Sequence, residues 1–175
     1  MSHNQGAGDD LSGHQYEDRY DSFFREMYRV VVRVVMGAGA SLDDAMDAVS
    51  EAMLLAYKSW PLLDNPAAWV FKVALRTSSK TAKRDRIRPK FEERAGRRDG
   101  VDRIPEDRAE DPDECKFVRE VLLNLPAAQR EVMALTVDGF DPTEIAEIVG
   151  KSPATVRSNL REARRKLRDE LRRFW

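Results

Sequence analysis

The sequence has little of the chemistry that enzymes and secreted proteins use. Cys115 is the only cysteine among 175 residues, which excludes an intrachain disulfide and fits a reducing compartment. His3 and His14 stand in a tail rich in glycine and aspartate, and two residues cannot complete a metal site. The sequence shows no glycine-rich phosphate loop, no recognisable frame of paired catalytic carboxylates and no Ser–His or Cys–His arrangement. We therefore expect no enzyme, no cofactor and no metal.

Long apolar runs are also missing. The longest, from Val30 to Met36, is interrupted by Arg33 and is too short to span a bilayer. The N-terminus is polar and acidic and does not resemble a signal peptide. With 35% charged and 42% hydrophobic residues, the chain can build two modest helical cores or one larger core. The sequence predicts a cytoplasmic protein without membrane insertion.

The net charge of −1 conceals a strong segregation of charge along the chain. Residues 72–98 hold eleven Lys/Arg against three acids, and residues 152–175 hold eight against three. Residues 99–114, in contrast, hold eight acids against two arginines. Two basic blocks separated by an acidic block indicate two nucleic-acid surfaces and an acidic connector.

Residues 140–168 read as two helices joined by a tight turn. Asp141 is a good N-cap, Glu144 completes a capping-box pattern, and Gly150 stands where a left-handed residue ends a helix. Ser152 is placed to cap the next helix in the same way. This pattern is typical of a helix-turn-helix, whose second helix enters the DNA major groove.

The second helix of this motif has two different faces. One is apolar and is predicted to be buried: Val156, Leu160, Ala163, Leu167 and Leu171. The outward side offers hydroxyl and guanidinium donors for bases and phosphates, and the predicted DNA-binding residues are Thr155, Arg157, Ser158, Arg161 and Arg165. A basic stripe alone is equally typical of a solvated helix and does not decide between the two interpretations. The capped turn that precedes the helix favours DNA binding. Glu162 either accepts from a cytosine amino group or pairs with a neighbouring arginine, and we prefer the second.

Three helices are predicted in the first half of the chain. The first runs from about Asp18 to Met36, and its apolar stripe is Phe23, Met27, Val30, Val31 and Val34. Ser41 caps a second, from Leu42 to Trp60, which carries an acidic stripe of Asp44, Asp47 and Glu51. Asn65 caps a third, from Pro66 to about Arg88.

The third helix combines basic residues with an aromatic ring. Lys72, Arg76, Lys80 and Lys83 form a basic stripe, and Trp69 falls on the same side. A surface that binds single-stranded nucleic acid needs positive charge for the phosphate backbone and an aromatic ring on which a base can stack. For Trp69 alone, packing against the preceding helix is the preferred interpretation.

Four motifs, in order, resemble those of one family. Ala45-Met46-Asp47-Ala48-Val49-Ser50-Glu51-Ala52-Met53-Leu54 is similar to A-E-D-x-V-Q-E-x-F-L. Pro66-Ala67-Ala68-Trp69-Val70 is similar to P-x-A-W-L, and Leu125, Pro126, Arg130 and Val132 match L-P-x-x-x-R-x-V. E-I-A-x-x-x-G-x-S-x-x-T-V-x-S is matched by Glu144, Ile145, Ala146, Gly150, Ser152, Thr155, Val156 and Ser158. Over residues 20–172 the chain resembles an extracytoplasmic-function (ECF, group 4) sigma factor of the sigma-70 family.

The resemblance implies an all-α protein of two small helical domains joined by a flexible acidic linker, with a helix-turn-helix in the second domain. A disordered tail would cover residues 1–17, sigma domain 2 residues 18–90, the linker residues 91–112 and sigma domain 4 residues 113–175. Domain 4 would read the −35 promoter element. Domain 2 would take the −10 element through Asp64, Asn65, Trp69, Lys72, Arg76, Lys80, Lys83 and Arg84.

The implied partners are promoter DNA, core RNA polymerase and an anti-sigma factor. Asp44, Asp47 and Glu51 would face the clamp helices of the polymerase beta-prime subunit, and domain 4 the flap of the beta subunit. Ser50 and Met46 depart from the usual Gln and Glu, and Asn159 and Glu162 stand where basic residues are usual. The promoter sequence therefore cannot be transferred from relatives. The alternative function is a homodimeric helix-turn-helix regulator, which would need a dimerisation surface and a twofold-symmetric duplex site.

Overall fold

The computed structural model describes residues 7–87 and 121–174, with side chains over residues 16–80 and 121–172. These residues form six α-helices and contain no strand. They are α1 (Ala7–Gly37), α2 (Leu42–Ser59), α3 (Pro66–Ile87), α4 (Ala127–Val137), α5 (Pro142–Val149) and α6 (Pro153–Phe174). A 3-10 turn, Trp60–Leu62, follows α2, and residues 121–123 are helical. The predicted all-α class is confirmed.

Local capping chemistry sets the start of the helices in the first half. The hydroxyl of Ser41 accepts the Asp44 N–H at 3.1 Å, and the Asn65 side-chain oxygen accepts the Ala68 N–H at 3.1 Å. Both predicted caps are therefore confirmed. The start of the first helix differs from the prediction, because α1 begins at Ala7 and the predicted disordered tail overlaps its first turns. The sequence contains no proline before Pro61, so nothing of that kind stops the helix from extending toward the N-terminus.

Helices α1, α2 and α3 pack around a small-residue face of α2. The inward face of α2 is buried over Ala45, Val49, Ala52, Met53 and Ala56. Aromatic rings then cover the end of this bundle. Tyr20 lies edge-on to Trp60 at 5.2 Å between ring centroids, and its hydroxyl donates to the Met53 carbonyl oxygen at 2.7 Å. The rings hold the loop after α2 against α1.

The helix-turn-helix forms as the sequence predicts. The Asp141 carboxylate accepts the Thr143 and Glu144 N–H groups, and the Glu144 carboxylate accepts the Asp141 N–H at 2.8 Å. Gly150 ends α5 in the left-handed region at φ 65°, and the Ser152 hydroxyl accepts the Thr155 N–H at 3.1 Å. On α6 the predicted buried face is confirmed at Val156, Leu160 and Ala163, whereas Leu171 is 42% exposed. Leu171 was wrongly placed in the core because helical periodicity continues past the last element that α6 packs on.

The two halves of the described chain share one buried cluster. It runs from Val31 and Phe71 in the first half to Leu135 and Ile145 in the second. We call the interface between α1 and α3 on one side and α4 and α5 on the other the seam. The composition allowed either two modest helical cores or one larger core, and the described residues form one larger core. The predicted linker, residues 91–112, lies outside the described residues, as do Cys115 and Phe117.

Candidate nucleic-acid interface

Helix α6 presents a polar face opposite its buried face. Arg157, Arg161 and Arg165 are exposed, and Ser158 is half-buried between them. Within the described residues, the three guanidinium groups form no hydrogen bond or ion pair. Since Val156, Leu160 and Ala163 fix the rotation of the helix, these donors point into solvent. The geometry provides free donors along about two turns, which is the length that enters a major groove.

Two polar side chains on or near this face already have protein partners. The Thr155 hydroxyl shares a hydrogen bond of 2.9 Å with the Ser152 hydroxyl, at the start of α6. The Glu162 carboxylate accepts from the Gln129 amide nitrogen of α4 at 2.8 Å. The observed partner of Glu162 is therefore Gln129, and not the neighbouring arginine that the sequence favoured. Sequence spacing missed this bond because Gln129 belongs to a different helix and is buried.

The basic stripe of α3 is exposed at Lys72, Arg76 and Lys80. Lys83 and Arg84 belong to the same helix, but their side chains lie outside the described residues. Trp69 is half-buried and packs on the hydrophobic core, in agreement with the preferred interpretation of this ring. The stripe therefore supplies positive charge along α3, while its tryptophan is held by the core.

The loop before α3 borders an open pocket. The pocket lies between α1 and the loop and is lined by Tyr16, Arg19, Trp60, Pro61, Leu63, Asp64 and Pro66. The Tyr16 hydroxyl donates to the Tyr57 carbonyl oxygen at 2.7 Å, so α1 is anchored beside the loop. Burial raises the pKa of the Tyr16 phenol, and the neighbouring Tyr57 raises it further. Aromatic, cationic and carboxylate groups thus line this open pocket.

The α1 wall of this pocket was missed by the sequence prediction. Tyr16 falls in the segment predicted to be a disordered tail, and Arg19 follows shortly after it. The signal that points to these residues is the spacing of Tyr16, Tyr20 and Phe23 at intervals of four and three, which is the spacing of one helix face.

The acidic stripe of α2 is solvated at Asp47 and Glu51. Asp44 is half-buried, and its carboxylate accepts from the Ser41 hydroxyl at 2.7 Å. The three carboxylates therefore share a face, but the first of them is partly engaged in capping α2.

The cap of the helix-turn-helix changes the pKa of one carboxyl group. Hydrogen bonds from the Glu144 and Thr143 backbone hold the pKa of the Asp141 carboxyl below its usual range.

No described helix has the length and apolar character needed to cross a membrane. The described residues also lack a cluster of three or more His, Cys, Asp or Glu that could hold a metal ion.

Comparison with known proteins agrees with this geometry. A family model described as Sigma-70, region 4 matches residues 118–167, which include the whole helix-turn-helix. The ECF RNA polymerase sigma factor SigD of Mycobacterium bovis is 31% identical over 148 residues, covering 82% of this chain and 69% of that protein. The chain belongs to the ECF sigma factors. Another ECF RNA polymerase sigma factor, SigM of Mycobacterium tuberculosis, is 27% identical over 171 residues, covering 94% of this chain and 84% of that protein.

Solved structures show the same fold. The sigma factor RpoE from Bartonella quintana, in a complex with the anti-sigma factor NepR, matches with a TM-score of 0.68 at 23% identity, covering 88% of this chain and 97% of that one. CnrH, in a complex with the cytosolic domain of CnrY, matches with a TM-score of 0.65 at 20% identity, covering 89% and 88%. This ECF sigma factor acts in transcription initiation, with RNA polymerase and promoter DNA, and the homodimeric regulator is not favoured.

Proposed function

We propose that the chain directs core RNA polymerase to its promoters through three separate surfaces. The face of α6 with Thr155, Arg157, Ser158, Arg161 and Arg165 reads the −35 element. The solvated donors of that face support this role, because base edges in the major groove are recognised by such groups. Thr155 contributes through its bond to Ser152, which fixes the N-terminus of the helix in the groove.

The second surface, on α3 and the loop before it, takes the −10 element. Lys72, Arg76, Lys80, Lys83 and Arg84 bind phosphates along the separated strand, while the pocket beside Asp64 receives an unstacked base. Asn65 holds the loop at the start of α3 through its capping bond. Trp69 supports the surface from the core side.

The third surface is the acidic stripe of α2, which contacts the clamp helices of the beta-prime subunit. Asp47 and Glu51 are exposed, so their charges are available for a basic partner, while Asp44 shares its carboxylate with the cap. The helix-turn-helix half contacts the flap of the beta subunit. The domain limits follow this division, with domain 2 over residues 18–90, the linker over 91–112 and domain 4 over 113–175.

Regulation by an anti-sigma factor is part of the proposal, since the RpoE and CnrH structures include a bound partner. We place the protein in the cytoplasm, as a binding factor and not an enzyme. The single observation that carries the proposed function is the capped helix-turn-helix with free arginines on α6, in a chain that belongs to the ECF family.

The deciding experiment is in vitro transcription by core RNA polymerase on a genomic promoter library, with and without the chain. We expect discrete start sites that appear only when the chain is added. Asp47→Lys with Glu51→Lys should abolish these starts and core binding, because reversed charges replace attraction by repulsion. Glu17→Lys with Asp21→Lys, the same charge change on α1, is the control. Core binding no better than that of an unrelated basic protein would refute the proposal.

A further inference from the structure

Leu62 stands in solvent on the loop between α2 and α3. It is 83% exposed, and among the large apolar residues that the structure describes only Val137, at 77%, is comparable. A single exposed leucine is ordinary on a protein surface. The position of Leu62 is not ordinary, because its loop borders the open pocket that Tyr16, Arg19 and Asp64 help to line.

The packing of its neighbours holds Leu62 in place. Trp60 packs against the rings of Tyr20 and Phe23, with 5.2 and 4.9 Å between ring centroids. The Leu63 N–H donates to the Trp60 carbonyl oxygen at 3.3 Å, and the Leu63 side chain packs on the hydrophobic core. Leu62 is therefore anchored on both sides along the chain, while its own side chain faces water.

The backbone around Leu62 is also restricted. Pro61 lies in the 3-10 turn Trp60–Leu62, where its ring fixes the φ angle. Beyond Leu62, the bond from the Ala68 N–H to the Asn65 side chain sets the start of α3. A side chain on a backbone restricted in this way loses little further conformational freedom when it binds a partner.

The surface around Leu62 is the one proposed for the separated strand. Helix α3 starts four residues after Leu62, and its basic stripe exposes Lys72, Arg76 and Lys80. Residues on both sides of Leu62 line the pocket, whereas Leu62 does not. Its side chain therefore lies beside the pocket and is free to contact whatever borders a base that enters it.

Opening of a base step has a cost that an apolar side chain can offset. Unstacking is unfavourable because the separated bases lose contact with each other, and proteins that kink or open DNA insert apolar wedges, leucine among them, between base steps. In the free protein Leu62 gains almost nothing from burial. Nearly all of the free energy gained when its apolar surface leaves water is therefore available on DNA.

We propose that Leu62 is a wedge that enters the base stack of the −10 element and fills the space left by the base that moves into the adjacent pocket. This inference rests on the proposed function. A leucine side chain has no donor or acceptor, so the wedge favours opening without reading a base edge. Recognition of the base stays with the polar groups of the pocket.

A template that is already open separates this role from simple contact with DNA or polymerase. Core RNA polymerase with the full chain is given one promoter from the genomic library, as a duplex and as the same duplex mismatched across the −10 element. With 2-aminopurine fluorescence in the −10 element, we expect Leu62→Ala to open the duplex about tenfold more slowly than the wild type. Run-off transcription from the mismatched template should equal that of the wild type.

Two further variants complete this comparison. Leu62→Met keeps an apolar side chain of similar size and should open the duplex nearly as fast as the wild type. Val137→Ala shortens the other highly exposed apolar side chain and should match the wild type on both templates. An equal loss on both templates, weaker binding to core, or unchanged opening of the duplex by Leu62→Ala would overturn the inference. If the wild type initiates on neither template, the proposed function itself fails.

A charged variant separates a wedge from electrostatic attraction. Leu62→Lys adds a positive charge that strengthens attraction to phosphates, but burial of an ammonium group between bases is costly. We therefore expect Leu62→Lys to bind the closed duplex at least as tightly as the wild type and to open it more slowly. Val137→Lys adds the same charge elsewhere and should not slow opening. Opening by Leu62→Lys as fast as by the wild type would contradict the wedge.

Discussion

At the scale of single residues, Arg161 and Arg165 share the exposed face of α6 but stand one turn apart. Arg161 lies in the early turns that enter a groove, and Arg165 lies farther along, where the helix leaves the bases. We expect Arg161→Ala to weaken binding by about 1–3 kcal/mol and to relax preference at one −35 position. Arg165→Ala should weaken all sequences alike and reduce the salt dependence by roughly one unit of slope.

Binding of both variants to every single-base variant of the −35 site, at two salt concentrations, separates these outcomes. Arg168→Ala, exposed farther along the same helix, provides a control for simple loss of charge. If Arg161→Ala and Arg165→Ala act equally on every sequence, α6 does not read bases through this face.

Glu162, on the same helix, is expected to act on stability and not on recognition. Its carboxylate accepts from Gln129, whose other amide atom, Oε1, is buried without a hydrogen-bond partner among the described residues. Glu162→Ala would leave the buried amide with no side-chain partner, so we expect a loss of about 1–2 kcal/mol in the free energy of unfolding. Urea unfolding measures this loss, and a −35 selection should return the same base preferences as the wild type. A changed preference with unchanged stability would contradict this role.

At the scale of elements, the helix-turn-helix depends on pH through its cap. Hydrogen bonds from the Glu144 and Thr143 backbone lower the pKa of Asp141 in the folded state. Between this lowered pKa and the ordinary value, the unfolded state binds more protons, so stability is lost as the pH falls through that window. Asp141→Asn keeps an acceptor at the cap but does not titrate.

Thermal unfolding from neutral to acidic pH tests this prediction. We expect the wild type to lose more stability than Asp141→Asn as the medium becomes acidic, with the two curves closest at the lowest pH. Asp169→Asn, an exposed change on α6, should follow the wild type. Parallel curves for wild type and Asp141→Asn would show that the cap does not carry this pH dependence.

Elements defined by neighbours in sequence could be predicted, whereas those defined by distant contacts could not. The caps at Ser41, Asn65 and Asp141 join groups two or three residues apart, so the local pattern contains the whole interaction. Val35 is fully buried but falls outside the apolar stripe predicted for the first helix. A single apolar stripe predicts burial for a helix that packs on one side only. Helix α1 packs on α2, α3 and α4, so it is buried on more than one side.

At the scale of the whole molecule, the candidate surfaces were found from residue types and spacing, but their relation to one another was not. The free arginines of α6 and the basic stripe of α3 follow from helical periodicity. The bonds of Arg33 to Asp138 and of Asn65 to Glu147 join residues 105 and 82 positions apart, and no sequence pattern specifies such pairs. The contacts across the seam therefore emerge only from the packed structure.

Glu131 makes the stability of the packed fold depend on pH. It lies on α4, where burial raises the pKa of its carboxyl. The Ser79 side chain of α3 and the nearby charges of Arg130 and Lys151 only partly oppose this effect. From the ordinary glutamate pKa up to the raised folded value, the folded state holds more protons than the unfolded state. The contribution of Glu131 to stability is therefore complete below the ordinary pKa and is lost as the pH rises through the folded pKa.

Glu131→Gln keeps a polar side chain that can bond to Ser79 and removes the titration. We expect the wild type to lose more of its unfolding free energy than this variant as the pH rises from the ordinary glutamate pKa through the raised folded pKa. Urea unfolding across this pH range measures the stability of each chain. Glu26→Gln, an exposed change of equal charge on α1, should behave as the wild type. If Glu131→Gln loses as much stability as that control, the Glu131 carboxyl does not carry this pH dependence.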